Sequence, residues 1–164
     1  SIGNVAFCKA KFIEPGVTSE ATTIDYIEKR RPSFNIPKVL YYHRTPSDDR
    51  FILFLQRVPG RTLDAAWSTL DESWKRHYVT RIAGIYQEMA GWSDEKIGGV
   101  DGQGIPEYFF RMPGQDGFDC VAGTCKALGM DCSDIVFYHA DMGPTNIIVE
   151  EEPTSGDVES SVGK

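Results

Sequence analysis

The sequence predicts an α+β fold, with a small β-rich amino-terminal part and a mostly helical second part. Three observations carry this. Residues 4–12, 36–44 and 51–58 are short runs rich in β-branched and aromatic side chains, set off by turn-forming residues, as strands are. Residues 18–32 and 71–92 repeat apolar side chains at helical spacing. The stretch "FYHADMGPTNIIVE", residues 137 to 150, places a polar, turn-forming loop between two apolar runs.

The first strand, "NVAFCKAKF", is β-rich but keeps no strict alternation through Val5, Phe7, Ala10 and Phe12, so a bulge or a turn is expected in it. "EPG" at 14 to 16 ends it. "TSEATTIDYIEKRRP" then reads as a helix. Thr18 or Ser19 caps it, Glu20 sits in the first turn where a carboxylate suits the helix dipole, and Pro32 closes it. Ile24 and Ile27 share a face with Glu20. "IPKVLYYHR" and "FILFLQRV" form an antiparallel pair across the polar segment "TPSDD". A Pro59-Gly60 turn and a short helix after Thr62 come next. The strongest helix follows, with Trp74, Tyr78, Ile82, Ile85 and Met89 as one buried stripe. Residues 91–119 carry seven glycines and two prolines with the aromatics Tyr108, Phe109, Phe110 and Phe118, which predicts a long irregular connection tacked down by aromatic side chains. "CVAGTCKALGM" is a short helix. The polar loop at 137–150 is then expected on a strand-loop-strand hairpin. The domain division expected is 1–58 and 59–164.

Composition bounds the function. The chain has 164 residues, 41% of them hydrophobic and 25% charged, enough for a buried core and unlike a disordered chain. Its formal charge of −7 gives no overall attraction to nucleic acid or to an anionic membrane, although a local phosphate site is compatible with it. No apolar run reaches the roughly 18 residues of a membrane span, and the amino terminus has no basic segment followed by an apolar core. Cys8, Cys120, Cys125 and Cys132 lack the spacing of a zinc site. They read as free thiols of a reducing compartment, hence a cytoplasmic protein, with a disulfide from Cys120 to Cys125 or Cys132 as the unsupported alternative. Nothing in the sequence sets the oligomeric state.

The polar loop holds His139, Asp141 and Asn146. A carboxylate and a carboxamide five residues apart are expected to converge from the loop and the start of the following strand. Such a pair is rich in hard oxygen atoms and suits Mg²⁺ with substrate phosphates. The aspartate could also take a proton from a hydroxyl. The plainer reading is a turn, since Asp and Asn favour turns, with His139 as a satisfied core histidine.

"HADMGPTNIIV" resembles the catalytic loop of the aminoglycoside phosphotransferase and choline kinase-like families, relatives of the protein kinases. Their pattern of His-x-Asp, four residues, Asn and an apolar strand falls on His139, Asp141 and Asn146 without a gap. In texture the chain is most similar to fungal members. The resemblance runs in order through nearly the whole chain. "AFCKAKF" and "TSEATTIDYIEKR" are similar to the strand lysine and its helix glutamate, which nominates Lys9 or Lys11 with Glu20. Sequence parity leaves the two lysines open, and Lys9 is favoured because it follows Phe7-Cys8. "FILFLQRVPGRTL" is similar to the hinge, with main-chain groups of Gln56, Arg57 and Val58 toward an adenine edge.

The resemblance implies an incomplete, protein-kinase-like two-lobe fold and ATP-dependent phosphoryl transfer to a hydroxyl of a small molecule. Lys9 or Lys11, held by Glu20, would bind phosphates. Asn146 would hold Mg²⁺. Asp141 would act on the acceptor, and His139 would brace or assist it. The acceptor would lie near the aromatics of 108–118, and its identity is open. Two family parts have no counterpart: a glycine-rich loop before Lys9, and a second metal-binding aspartate after "IIVEEE", where Asp157 lacks the expected setting. Both ends therefore read as truncated, with weak ATP binding and slow transfer expected. The competing class is a non-catalytic kinase-like remnant that acts as a binding or structural domain. A hydrolase or nuclease built on His139 and Asp141 fits less well, because further carboxylates and histidines do not accompany them.

Overall fold

The computed structural model describes residues 2–12, 15–44, 50–95, 97–105, 119–131 and 133–150. The chain is mixed α and β, and it divides into two compact units. One comprises Ser1–Arg57 and Trp92–Val136, the other Val58–Gly91 and Phe137–Lys164. The division expected is 1–58 and 59–164; here residues 92–136 group with the amino-terminal unit.

In the amino-terminal unit, β1 (Ala6–Phe12), β2 (Val39–Arg44) and β3 (Arg50–Gln56) form an antiparallel sheet in the order β1-β3-β2. Strict alternation in β3 sets the faces: Phe51, Leu53 and Leu55 are buried, and Ile52 and Gln56 are exposed. Helix α1 (Glu20–Lys29) supplies Ile24 to the cluster formed by the three buried β3 residues, and Ala21, Ile36 and Val39 pack against it. Leu53 is fully buried, which contributes roughly 1.5–3 kcal/mol. Ser19 caps α1 by accepting from the Thr22 N–H at 3.1 Å. The helix stops at Lys29, and Arg31 turns to a φ of 51° directly before Pro32, a position where the proline ring disfavours helical geometry.

The irregularity expected within 4–12 is a turn at residues 3–5 ahead of β1, which then pairs with β3 in unbroken register. The bulge lies instead in β2, between Val39 and Tyr41. This unit also holds α4 (Asp119–Ala127) and the two-residue pair β5 (Ser93–Asp94) with β6 (Ile135–Val136).

The carboxy-terminal unit contains β4 (Arg61–Thr62), α2 (Leu63–Trp67), α3 (Glu72–Ala90) and β7 (Ile148–Val149). Leu63, Ala66, Leu70, Trp74, Tyr78 and Val149 make its core. The α3 stripe is graded. Trp74, Tyr78 and Met89 are buried, while Ile82 and Ile85 are half-buried, with Ile82 packed on the core. The hairpin expected around residues 137–150 does not form. The flanking strands are only two residues long, and β7 pairs with β4 while β6 pairs with β5. Loop closure explains this: β4 follows the Pro59-Gly60 turn and offers β7 an edge within its own core, whereas the eleven residues from 137 to 147 are folded on themselves.

The turn segment 45–49, the aromatics at 108–110 and 118, Cys132 and residues 151–164 with Asp157 lie outside the described residues. Among the described residues no helix is long and apolar enough to cross a membrane. Cys8 is exposed as a free thiol, and Cys125 is buried.

Candidate functional site

The loop of residues 137 to 147 is held from both sides. At its end, β7 pairs with β4 in the register Thr62↔Ile148 and Arg61↔Val149. The amino terminus of α2 captures its main chain. Thr62 caps α2 by accepting from Ala65 N–H at 3.2 Å, and the first two helical amides are spent on the loop: Leu63 N–H donates to the Ile147 carbonyl at 2.8 Å and Asp64 N–H to the Pro144 carbonyl at 3.0 Å. These amides have no partner inside the helix. Gly60, at φ 119°, lets the preceding turn lie directly on β7; a Cβ there would stand 2.2 Å from the Val149 carbonyl oxygen.

Inside the loop, Asn146 N–H donates to the Gly143 carbonyl at 2.9 Å. The Asn146 side-chain Nδ2 donates to the main-chain oxygen of Asp141 at 3.0 Å, and Asp141 N–H donates to His139 Nδ1 at 3.1 Å. Asp141 is thus gripped through its peptide groups by both other members of the triad. The carboxamide reaches the aspartate's main chain; the convergence expected is of the two side-chain oxygens. With Nδ2 engaged, Oδ1 is the coordinating atom Asn146 has to offer. His139, Asp141 and Asn146 are all exposed. The loop thus presents one carboxylate and one carboxamide oxygen to solvent, both hard oxygen atoms. Among the described residues no group of three or more His, Cys, Asp or Glu is gathered for a metal.

His139 accepts at Nδ1, so its ring proton is on Nε2. This assigns the side chain a bracing contact. His139→Asn, whose carboxamide oxygen falls near the Nδ1 position, is expected to keep the unfolding free energy within about 0.5 kcal/mol of wild type, and His139→Gln, which reaches the Nε2 position, to lose about 0.5–1 kcal/mol. Urea titration checks the order of the two.

In the amino-terminal unit the sheet register brings the nominated lysines to α1. Lys9 lies opposite Leu53 and Lys11 opposite Phe51, so both share the face that α1 covers. Lys9 Nζ makes a direct ion pair with Glu20 Oε1, and Lys11 Nζ stands 3.8 Å from Glu20 Oε2. The Lys9 and Glu20 side chains are 40% and 30% exposed. Solvent screening keeps such a pair to about 0.5 kcal/mol, so its worth lies in orientation rather than stability. The hinge expectation fares differently. Gln56 N–H donates to the Lys38 carbonyl and Arg57 N–H to the Val5 carbonyl, each at 2.8 Å, and the Arg57 guanidinium lies over the Phe7 ring. Those two donors are committed within the protein; Val58 belongs to the other unit.

Sequence reasoning missed the α2 amides, the role of Gly60, and a polar contact behind the loop. The buried Tyr78 hydroxyl donates to Glu150 Oε2 at 2.7 Å. Burial, then the hydrogen bond and charge of Glu150, push the phenol well above the usual tyrosine range, against a smaller opposing effect of Arg61. The unfolded chain loses this proton near pH 10 while the folded chain keeps it, so the contribution is present below about pH 10 and falls as pH rises beyond. Tyr78→Phe is expected to cost about 1 kcal/mol at neutral pH and to flatten the alkaline loss of stability, read from denaturant titrations between pH 8 and about pH 11.

No family model, no curated protein and no solved structure matches the chain.

Proposed function

We propose that the protein is an ATP-dependent phosphotransferase acting on a hydroxyl of a small molecule. The observation that carries this reading is the loop in which His139 and Asn146 clasp the main chain of Asp141 and leave its carboxylate for chemistry. In this reading Asp141 orients the acceptor hydroxyl and takes its proton, a general-base role that suits an exposed carboxylate fixed through its peptide groups. Asn146 Oδ1 would hold Mg²⁺, which would supply neutralisation of phosphate charge when bound. Within the amino-terminal unit, Lys9, oriented by Glu20, would offer its ammonium to phosphate oxygens, and Lys11 adds a second positive charge to the same face of that unit.

The groups are solvent-exposed, so each charge contact is screened and weak binding with slow transfer is expected. Calorimetric titration with Mg-ATP, joined to an ATP-consumption assay over a panel of small alcohols, tests the proposal. Binding weakened by Lys9→Ala, with transfer that depends on Asp141, supports it. Absence of any Mg-ATP binding overturns it.

A second reading, a non-catalytic kinase-like module, draws support from the engaged amides of Gln56 and Arg57, which leave an adenine edge fewer donors. Binding of Mg-ATP without transfer to any acceptor, in the wild type and in Asp141→Asn alike, favours that reading.

A further inference from the structure

We propose that Thr18 and Asp101 are positioning residues, a clasp that sets Glu20 against Lys9; the inference rests on the reading of Lys9 as the phosphate-binding group. Thr18 lies two residues before Glu20, at the entry to α1. Its hydroxyl donates to Asp101 Oδ1, which also accepts the Gln103 N–H at 3.0 Å. Its main-chain N–H donates to the Gly104 carbonyl at 2.8 Å, and Gly104 N–H returns to the Gly16 carbonyl, so Val17 and Gly104 form a parallel bridge. The segment doing the holding is itself closed, with Gly99 N–H on the Gln103 carbonyl and Gly102 N–H on the Gly99 carbonyl.

Thr18 is also pressed onto that segment. A Cβ on Gly99 would stand 1.6 Å from Thr18 Oγ1 and 2.5 Å from its Cβ. The Gly99 backbone is outside the left-handed region, so alanine is admissible there in conformation and is obstructed chiefly by Thr18, with the Gln103 carbonyl oxygen also close at 3.1 Å. Thr18 is buried, although it is polar, and its hydroxyl finds its partner 83 residues away. An N-terminal cap is already supplied by Ser19. A second polar anchor one residue earlier is therefore surplus to capping. What it adds is a fixed entry direction for α1, and with it the placement of the first-turn carboxylate.

The test reads Lys9 directly and without nucleotide. The whole chain is trace-labelled with acetic anhydride, and the acetylation rate of Lys9 is compared by mass spectrometry with that of the exposed Lys126. Glu20→Gln defines the unpaired value, expected to be about two- to fivefold above wild type for a partly exposed ion pair. Thr18→Val and Gly99→Ala are expected to raise Lys9 toward that value and leave Lys126 unchanged, while Thr18→Ser, which keeps the hydroxyl, is expected to match wild type. Unchanged Lys9 labelling in Thr18→Val and Gly99→Ala overturns the proposal. So does a parallel rise of Lys9 and Lys126, which is what general loosening would produce, and so does equal behaviour of Thr18→Ser and Thr18→Val. A separate arm with Mg-ATP asks whether nucleotide slows Lys9 labelling. If it does not, the phosphate role of Lys9 fails while the clasp stands.

Discussion

Asp141→Asn is expected to reduce ATP-dependent transfer by about 10²- to 10⁴-fold, the range for losing a positioned general base. The fold should not register the change. Both braces on this residue act on its main chain, through Asp141 N–H to His139 and through the Asp141 carbonyl from Asn146. The side chain is exposed, and exposed substitutions away from special features usually move stability by less than about 0.5 kcal/mol. Mg-ATP affinity is expected to change by no more than about tenfold, since Asn146, the metal-holding residue of this reading, is retained. Initial rates, a calorimetric titration and a thermal melt on the same preparation separate these effects. Transfer at the wild-type rate in Asp141→Asn would remove the residue from the chemistry.

The largest expected effect on stability is that of Gly60→Ala. Two costs combine. The residue sits at φ 119°, a conformation open to glycine and strained for any side chain, and the new methyl would meet the Val149 carbonyl oxygen at 2.2 Å and Ile148 Cγ2 at 2.9 Å. The first obstacle is paired backbone, which cannot swing aside as a flexible side chain would. Strain of this kind costs about 1–3 kcal/mol, and displacing the β4–β7 pair adds to it, so a total of about 2–4 kcal/mol is expected. For a chain of this size that corresponds to a fall of roughly 5–15 °C in Tm. The loop is expected to suffer with it, because β7 carries the end of the segment that α2 holds. A differential scanning melt checks the magnitude, and the amide hydrogen exchange of Leu63 and Asp64, donors to the loop, reports whether it loosens. A Tm within 2 °C of wild type would show that the turn repacks at little cost.

Much of the local structure was legible in the sequence because it is written within a few residues. The helical stripe of Trp74, Tyr78 and Met89, a cap at Thr18 or Ser19 that falls on Ser19, the short helix after Thr62, the break at Pro32 and the strand within 51–58 all follow from period and capping chemistry. The spacing of His139, Asp141 and Asn146 likewise marked the loop as one unit, and the side chains of His139 and Asn146 meet on the main chain of Asp141.

Partners across long stretches of chain were not legible. The two lysines of β1 share one strand parity, and their order at Glu20 depended on the β1–β3 register and the depth at which α1 sits. The expected hairpin around 137–150 gave way because β4 and β5 offer competing edges, which no local pattern announces. Gln56 and Arg57 have amides taken up by Lys38 and Val5, neither of which is a sequence neighbour. Asp101 and Gly99 read only as parts of an irregular, glycine-rich connection, yet they hold Thr18 at the head of α1. By itself the sequence determined which residues form helices, strands and the polar loop, because backbone preference and apolar period act over one or two turns. Only the tertiary structure decided which of those residues touch, because each such contact is selected by core burial and hydrogen-bond pairing between segments far apart in the chain.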